Sequence, residues 1–224
     1  MPNAASAASG KDMSMKLFHC RDARSLRPLW TLEEMDLAYE PVLLPFPPRV
    51  FAKQYLVENP LGTIPLLVDG DVRMTESSGI CFYLTQKYGP TPLALAPDEP
   101  DYASFLNWLF FSDATLTFPQ TLVLRYRQFE TPERRNEQVA GDYEKWFFGR
   151  LHALGAALED GREWLCAGRF TIADICIAYA LHLADTRAKL SHGLSERVRA
   201  YLDRARGRPG FARARSIDAQ APQY

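Results

Sequence analysis

Residues Asn59 to Tyr83 read N-P-L-G-T-I-P-L-L-V-D-G-D-V-R-M-T-E-S-S-G-I-C-F-Y, and no other stretch restricts the fold as tightly. A Pro/Gly-marked loop comes first, followed by an apolar run, Ile64 to Val68, that predicts a buried strand. Asp69-Gly70 separates it from a second run, Val72 to Met74. Asp-Gly between two apolar runs predicts a hairpin, because a type I′ turn needs positive φ at both central positions. Thr75, Glu76 and Ser77 then place small polar groups where a helix start has unpaired backbone N–H groups. Loop, hairpin and open helix start together make a place where a carboxylate can sit.

Strand signals stop near residue 75 and helical signals fill the rest. The 224 residues therefore predict two units, each with its own core. Residues 15–89 form the first and residues 101–224 the second. Between them Pro90, Pro92, Pro97 and Pro100 make residues 90–100 an extended linker, since several prolines in ten residues cannot continue a helix. In the first unit Met15 to His19 reads as a strand. Ser25 is the natural N-cap of a helix carrying Leu26, Leu29, Trp30 and Leu37 near one face, and Leu37 to Leu44 runs on into another extended segment. In the second unit, Tyr102 to Leu116 predicts a buried helix bent or ended by Pro119. Pro132 opens a long helix through Leu158, and Thr171 and Asp174 form a capping box at the start of a third. The arginines between Arg197 and Arg215 read as a solvated helix face.

A net charge of −1, from 26 basic and 27 acidic residues, gives no field to gather nucleic acid or an acidic membrane. No apolar run reaches the roughly 20 residues that span a bilayer. Residues 1–14 are Ala/Ser/Gly-rich without a basic n-region or apolar core, and read as a disordered extension of a cytoplasmic protein. The four cysteines, Cys20, Cys81, Cys166 and Cys176, show no C-x-x-C spacing, which suits a reducing compartment; Cys20, at a strand end, is the one thiol worth testing. The four histidines lack ligand spacing, so no metal is implied.

The ordered stretch N-P-L-G-T-I-P followed by T-E-S resembles the glutathione site of the cytosolic glutathione transferases, and C-R-D-A-R-S-L-R-P-L-W-T-L-E-E-M resembles the R-S-x-R-x-L-W-x-L-E-E run of bacterial and fungal members. The resemblance covers residues 15 to 88. It implies an α+β fold, an N-terminal thioredoxin-like domain followed by an all-α helical-bundle domain. It also implies a homodimer, with glutathione and a small apolar electrophile as ligands. By the same resemblance Pro65 is cis, Ile64 pairs its backbone with the glutathione cysteine, Glu76 takes the γ-glutamyl ammonium, and Ser77 takes the γ-glutamyl carboxylate. Lys53, a basic residue shortly before N-P, is the candidate for the glycyl carboxylate, Thr63 standing where family members commonly carry lysine.

A glutathione enzyme must lower a thiol pKa of about 8.5 by about two units, which takes roughly 2.7 kcal/mol of selective thiolate stabilisation. A charge-assisted hydrogen bond and a helix N-terminus together are of that size. Ser25 offers both, with Arg24 adding positive charge. The chain departs from the family here: Ala23 occupies the position of the donating serine of serine-type members, and Arg24 that of the cysteine in an A-C-S-L class. Three roles are open to Ser25: hydroxyl donor to the thiolate, backbone N–H donor, or N-cap alone. For the electrophile, Phe111 and Thr115 lie one turn apart, with Trp108 nearby as an apolar wall. The expected reaction is conjugation. The alternatives are a glutathione-dependent peroxidase or disulfide reductase, and a non-catalytic glutathione-binding or stress-interaction protein.

Overall fold

The structure is a computed structural model that describes residues 15–223; the extension expected over residues 1–14 lies outside the described residues. Strand β1 (Met15–Cys20) runs beside β2 (Glu40–Leu44) in parallel and beside β3 (Leu66–Asp69) antiparallel. Strand β4 (Val72–Met74) closes a four-stranded mixed sheet of order β2-β1-β3-β4. Side chains alternate across the sheet as strand geometry requires. Leu17 enters a core shared with helices α1 (Leu26–Glu34) and α4 (Ser77–Lys87), whereas Phe18 turns to a smaller cluster with Ala52, Tyr55 and Leu66. Two short helices, α2 (Pro48–Phe51) and α3 (Tyr55–Glu58), supply that second layer and have no counterpart in the sequence reading.

The hairpin forms one residue later than its sequence suggests. Asp69 pairs with Val72, so Gly70 and Asp71 make the turn. Gly70 has φ of +59° and Asp71 is not in the left-handed region, the pattern of a type II′ turn rather than the type I′ turn expected at Asp69-Gly70. The strand likewise begins at Leu66 rather than Ile64, because Pro65 has no N–H to give to a ladder. The Ile64–Pro65 bond is cis, as the resemblance implies.

The second half is helical. Helix α5 (Tyr102–Phe110) passes through a π-helical turn, Phe111–Thr117, into α6 (Phe118–Leu124) and a further π-helical segment, Arg125–Phe129. Pro119 therefore does not end the helix. It falls in the first turn of α6, directly after a π turn in which Phe118 N–H bonds the Asp113 carbonyl, five residues back. Helix α7 (Glu137–Ala157) starts at Asn136, whose side chain accepts from Val139 N–H; Pro132–Arg134 is a separate 3₁₀ turn, so the long helix does not begin at Pro132.

Helix α8 (Ile172–Thr186) is buried along most of its length and opens on the expected capping box. The Asp174 carboxylate, fully buried, accepts from Thr171 N–H, Leu165 N–H and the Tyr201 hydroxyl at 2.9–3.0 Å. Burial raises its pKa to about 6 against the pull of those donors. Helices α9 (Glu196–Arg206) and α10 (Pro209–Asp218) complete the chain. Part of the arginine run expected to face solvent instead pins α10 to the first half: Arg208 pairs with Glu34 at 2.8 Å, Arg213 with Glu33 at 3.0 Å, and Arg215 with Asp22 at 2.6 Å. Trp30 and Phe211 pack 4.7 Å apart in the same contact. Among the described residues no helix is long and apolar enough to cross a membrane.

Candidate functional site

A cleft of about 360 Å³ opens between the sheet half and the helical half. One wall is loop. The turn from β1 into α1 contributes Arg21 to Arg24, the segment before β3 contributes Leu61 to Pro65, and the entry to α4 contributes Thr75, Glu76 and Ser77. The other wall comes from the helices, with Leu124, Phe129, Tyr179 and Leu183 as its apolar part.

The Leu61–Pro65 segment is held by side chains from the motif itself. Asn59 accepts from Leu61 N–H at 3.1 Å and donates to the Thr63 carbonyl at 2.9 Å, while the Tyr55 hydroxyl donates to the same carbonyl at 2.7 Å. Gly62 sits at φ +60°, and a Cβ there would lie 2.8 Å from Arg49 Cβ, so the motif needs glycine for both backbone and space. Ile64 lines the cleft ahead of Pro65, its side chain packed on the smaller apolar cluster.

At the start of α4, Glu76 is exposed and extended, and no side chain caps the helix. The first helical bond runs from Ile80 N–H to Glu76 O. The open helix start expected from the sequence is therefore present: no side chain caps α4, and Glu76 lines the cleft. Ser77 is buried, and its oxygen accepts from Arg27 Nη1 at 2.9 Å. That bond occupies the acceptor side of the hydroxyl and leaves its proton free to be given to an anion.

Arg27 itself carries no exposed surface. Besides Ser77 it donates to Asp113 at 3.0 Å, the Ser112 carbonyl at 3.2 Å and Thr117 at 2.7 Å, and its guanidinium lies 4.6 Å over the Tyr179 ring. Burial opposes the charges of this pair and is outweighed: Asp113 raises the Arg27 pKa, while Arg27 and then Arg24 hold Asp113 below the ordinary carboxylate range. The π-helical turn is what brings Ser112, Asp113 and Thr117 together around one guanidinium. Sequence reasoning used Arg27 only as a motif position; nothing in periodicity marks it as buried.

Several expected site residues lie elsewhere. The Ser25 hydroxyl is fully buried, accepting from Cys20 N–H at 3.3 Å and facing the Cys20 carbonyl at 3.4 Å. Ser25 stands at the expected N-cap position of α1 but makes no side-chain cap bond there, and it does not line the cleft. Cys20 is also fully buried, and desolvation pushes its thiol up to about 12, so it offers no reactive thiolate. Arg24 does line the cleft, bonded to Asp113 at 3.1 Å and Thr121 at 2.9 Å. Lys53 is exposed outside the cleft, whose basic residue from that region is Arg49. Trp108, Phe111 and Thr115 do not line it either: Trp108 and Phe111 meet edge to face at 5.2 Å and pack on the core. The apolar wall lies further along, at Leu124 and Phe129, because the helix continues past Pro119.

Comparison with known proteins finds two family models along the chain. "Glutathione S-transferase, N-terminal domain" matches residues 13–86, and "Glutathione S-transferase, C-terminal domain" matches residues 136–204. Glutathione S-transferase GstB of Escherichia coli (strain K12) is 32% identical over 157 residues, covering 67% of this chain and 73% of that protein. Glutathione S-transferase 3 of Schizosaccharomyces pombe is 33% identical over 100 residues; that match takes in 45% of this chain and 41% of the relative, less than half its length. Among solved structures, a glutathione transferase from Methylococcus capsulatus (strain Bath) superposes with a TM-score of 0.79 at 26% identity, covering 92% of this chain and 98% of that one.

Proposed function

The chain belongs to the glutathione S-transferase family, and on that premise we propose that it conjugates the thiolate of glutathione to apolar electrophiles. The observation that carries this reading is the cleft itself, which sets a loop wall suited to a zwitterionic tripeptide against an apolar helical wall. Glu76 takes the γ-glutamyl ammonium. The Ser77 hydroxyl and the open amides of α4 take the adjacent carboxylate, a pairing favoured by the helix dipole and by charge-assisted hydrogen bonds. The backbone of Ile64 pairs with that of the cysteine residue. Arg49, in place of Lys53, faces the glycyl carboxylate.

The sulfur then lies at the β1–α1 turn. With the Ser25 hydroxyl turned inward, thiolate stabilisation falls to the Ser25 backbone N–H, since the next two amides, of Leu26 and Arg27, already donate to Ala23 and Arg24 and Pro28 has none, and to the Arg24 guanidinium. The thiolate attacks an electrophilic carbon held against Leu124, Phe129 and Leu183; a C–S bond forms, the leaving group departs with its electron pair, and the thiol proton passes to solvent. Glutathione is a cosubstrate in this reading, a second copy of the chain is the expected partner, and the cytoplasm the expected location.

Incubation with glutathione and 1-chloro-2,4-dinitrobenzene, followed by mass analysis, tests the reading: the dinitrophenyl thioether is expected to form faster than in buffer. Oxidised glutathione formed from a peroxide, without any thioether, would replace conjugation by redox chemistry. The second reading, glutathione binding without thiol activation, is favoured by one observation, the inward-facing Ser25 hydroxyl; it corresponds to saturable binding and no product.

A further inference from the structure

The β1–α1 turn is held from the far end of the chain. Asp22, in the middle of that turn, lies at φ +55°, a left-handed conformation that a non-glycine residue keeps only where its surroundings hold it. Within the turn Ala23 N–H closes on the Cys20 carbonyl at 3.2 Å. The amide before it turns away: Asp22 N–H donates at 2.8 Å to the carboxylate of Asp218, the last residue of α10. The other polar groups of Asp22 are also engaged. Its carbonyl accepts from the Tyr179 hydroxyl at 3.3 Å, and its carboxylate accepts from Arg215 at 2.6 Å, with Arg187 at 3.9 Å and His182 at 4.0 Å.

Asp218 is where these contacts meet. It has no exposed surface and does not line the cleft, so it acts on a bound ligand only through other residues. One carboxylate oxygen accepts from Asp22 N–H and from His19 Nε2, at 2.8 and 2.9 Å, and the other accepts from Arg215 at 2.5 Å. The same Arg215 nitrogen reaches the Asp22 carboxylate. Burial opposes the Asp218 charge and is outweighed by His19, Arg215 and the Asp22 amide, which keep the carboxyl below its ordinary range and so ionised. One buried carboxylate thus ties the end of β1, the middle of the turn and the end of α10 together. Arg24 and Ser25 follow Asp22 by two and three residues. Helix α10 has a separate attachment to the opposite end of α1, where Arg208 pairs with Glu34.

Resting on the conjugating function above, we propose that Asp218 is a positioning residue of the thiol site: through Asp22 N–H and Arg215 it sets the β1–α1 turn, and with it the approach of the Ser25 N–H and the Arg24 guanidinium to the sulfur. A hydrogen bond weakens steeply with misalignment, so a loosened turn costs thiolate stabilisation first. Glutathione binding suffers less, because its grips at Ile64, Glu76 and Ser77 lie on other segments.

Ultraviolet titration of bound glutathione, with steady-state kinetics, tests this in four variants: Asp218→Asn, Arg215→Gln, Arg215→Lys and Arg208→Gln. Asparagine has one acceptor oxygen and cannot serve Asp22 N–H, His19 and Arg215 at once. Asp218→Asn should raise the bound thiol pKa by about one unit and lower kcat about tenfold at a pH below both values, with the KM for glutathione changed less than about threefold. Arg215→Gln should give about half that pKa shift, and Arg215→Lys should stay near wild type. Arg208→Gln should lower the melting temperature without moving the thiol. A thiol pKa unmoved in Asp218→Asn and Arg215→Gln, or moved equally in Arg208→Gln, would overturn the proposal; should Asp218→Asn not fold, the Arg215 pair decides alone. A wild-type thiol that is lowered but insensitive to every variant would uphold conjugation and refute the positioning role. A solution-like thiol pKa in the wild type itself would refute both together.

Discussion

The two walls of the cleft are held in different ways. The loop wall rests on polar bonds with short sequence separations: Asn59 and Tyr55 fix the Leu61–Pro65 segment from within eight residues. The helical wall rests on apolar packing, with Leu124 buried and Phe129 partly exposed beyond a π-helical turn. Arg27 joins the two, reaching Ser77 on one side and Asp113, Ser112 and Thr117 on the other. A wall fixed by directional bonds suits a ligand of constant shape such as a tripeptide. A wall of dispersion contacts suits apolar ligands of varied shape.

The joint is where the comparison breaks with the largest effect. Asp113→Ala leaves the buried Arg27 charge without its carboxylate and should cost about 3 to 5 kcal/mol in urea denaturation. A loss below about 1 kcal/mol would show that the two halves do not depend on this contact. The same pair sets an acid limit. Because the folded-state pKa of Asp113 is lowered, its contribution is complete above its ordinary value of 3.8 and is lost as the pH falls through the folded value. Between about pH 5 and pH 2 the wild type should therefore lose more stability than Asp113→Asn does.

On the loop wall, Glu76→Ala and Ser77→Ala should each weaken glutathione binding by about 1.5 to 3 kcal/mol in calorimetry, from lost charge-assisted bonds. Unchanged affinity would remove them from the site. Arg49→Ala should cost about 1.5 kcal/mol of glutathione affinity, and Lys53→Ala, outside the cleft, less than about 0.5 kcal/mol; the reverse order would restore Lys53. The smallest effect belongs to the helical wall. Phe129→Ala should lower kcat/KM for 1-chloro-2,4-dinitrobenzene by about 1 kcal/mol, with its effect on the electrophile term larger than on glutathione affinity.

Much of the loop wall was legible in the sequence because its signals are local. N-P-L-G, the Asp-Gly turn region and T-E-S each report a backbone need within a few residues and land within about a residue or two of their expected place, as does the Thr171–Asp174 box in the helical half. The turn type slipped by one residue because sheet register, set by Asp69 against Val72, overrides the dipeptide. The helical wall was not legible in the same way. Trp108 and Phe111, which share a face with Thr115 by 3.6-residue counting, pack on the core, and none of the three lines the cleft; the wall is made instead by Leu124 and Phe129, beyond a π turn that changes the helical phase. Lys53, in the turn between α2 and α3, stays outside the cleft while Arg49 on α2 lines it, a placement that depends on two short helices the sequence does not announce. The N-cap position of Ser25 was legible, but not that its hydroxyl satisfies the Cys20 backbone across the β1–α1 turn, a contact that spacing alone does not show.

The central claim is that the cleft stabilises a thiolate with the Ser25 backbone N–H and Arg24 rather than with a side-chain hydroxyl. Ultraviolet titration of glutathione saturated onto the protein measures it most directly. The expected result is a thiol titrating about two units below its solution value of about 8.5, shifted in Arg24→Gln and unmoved in Ser25→Ala. A bound thiol that keeps its solution pKa would contradict the account and leave glutathione binding alone.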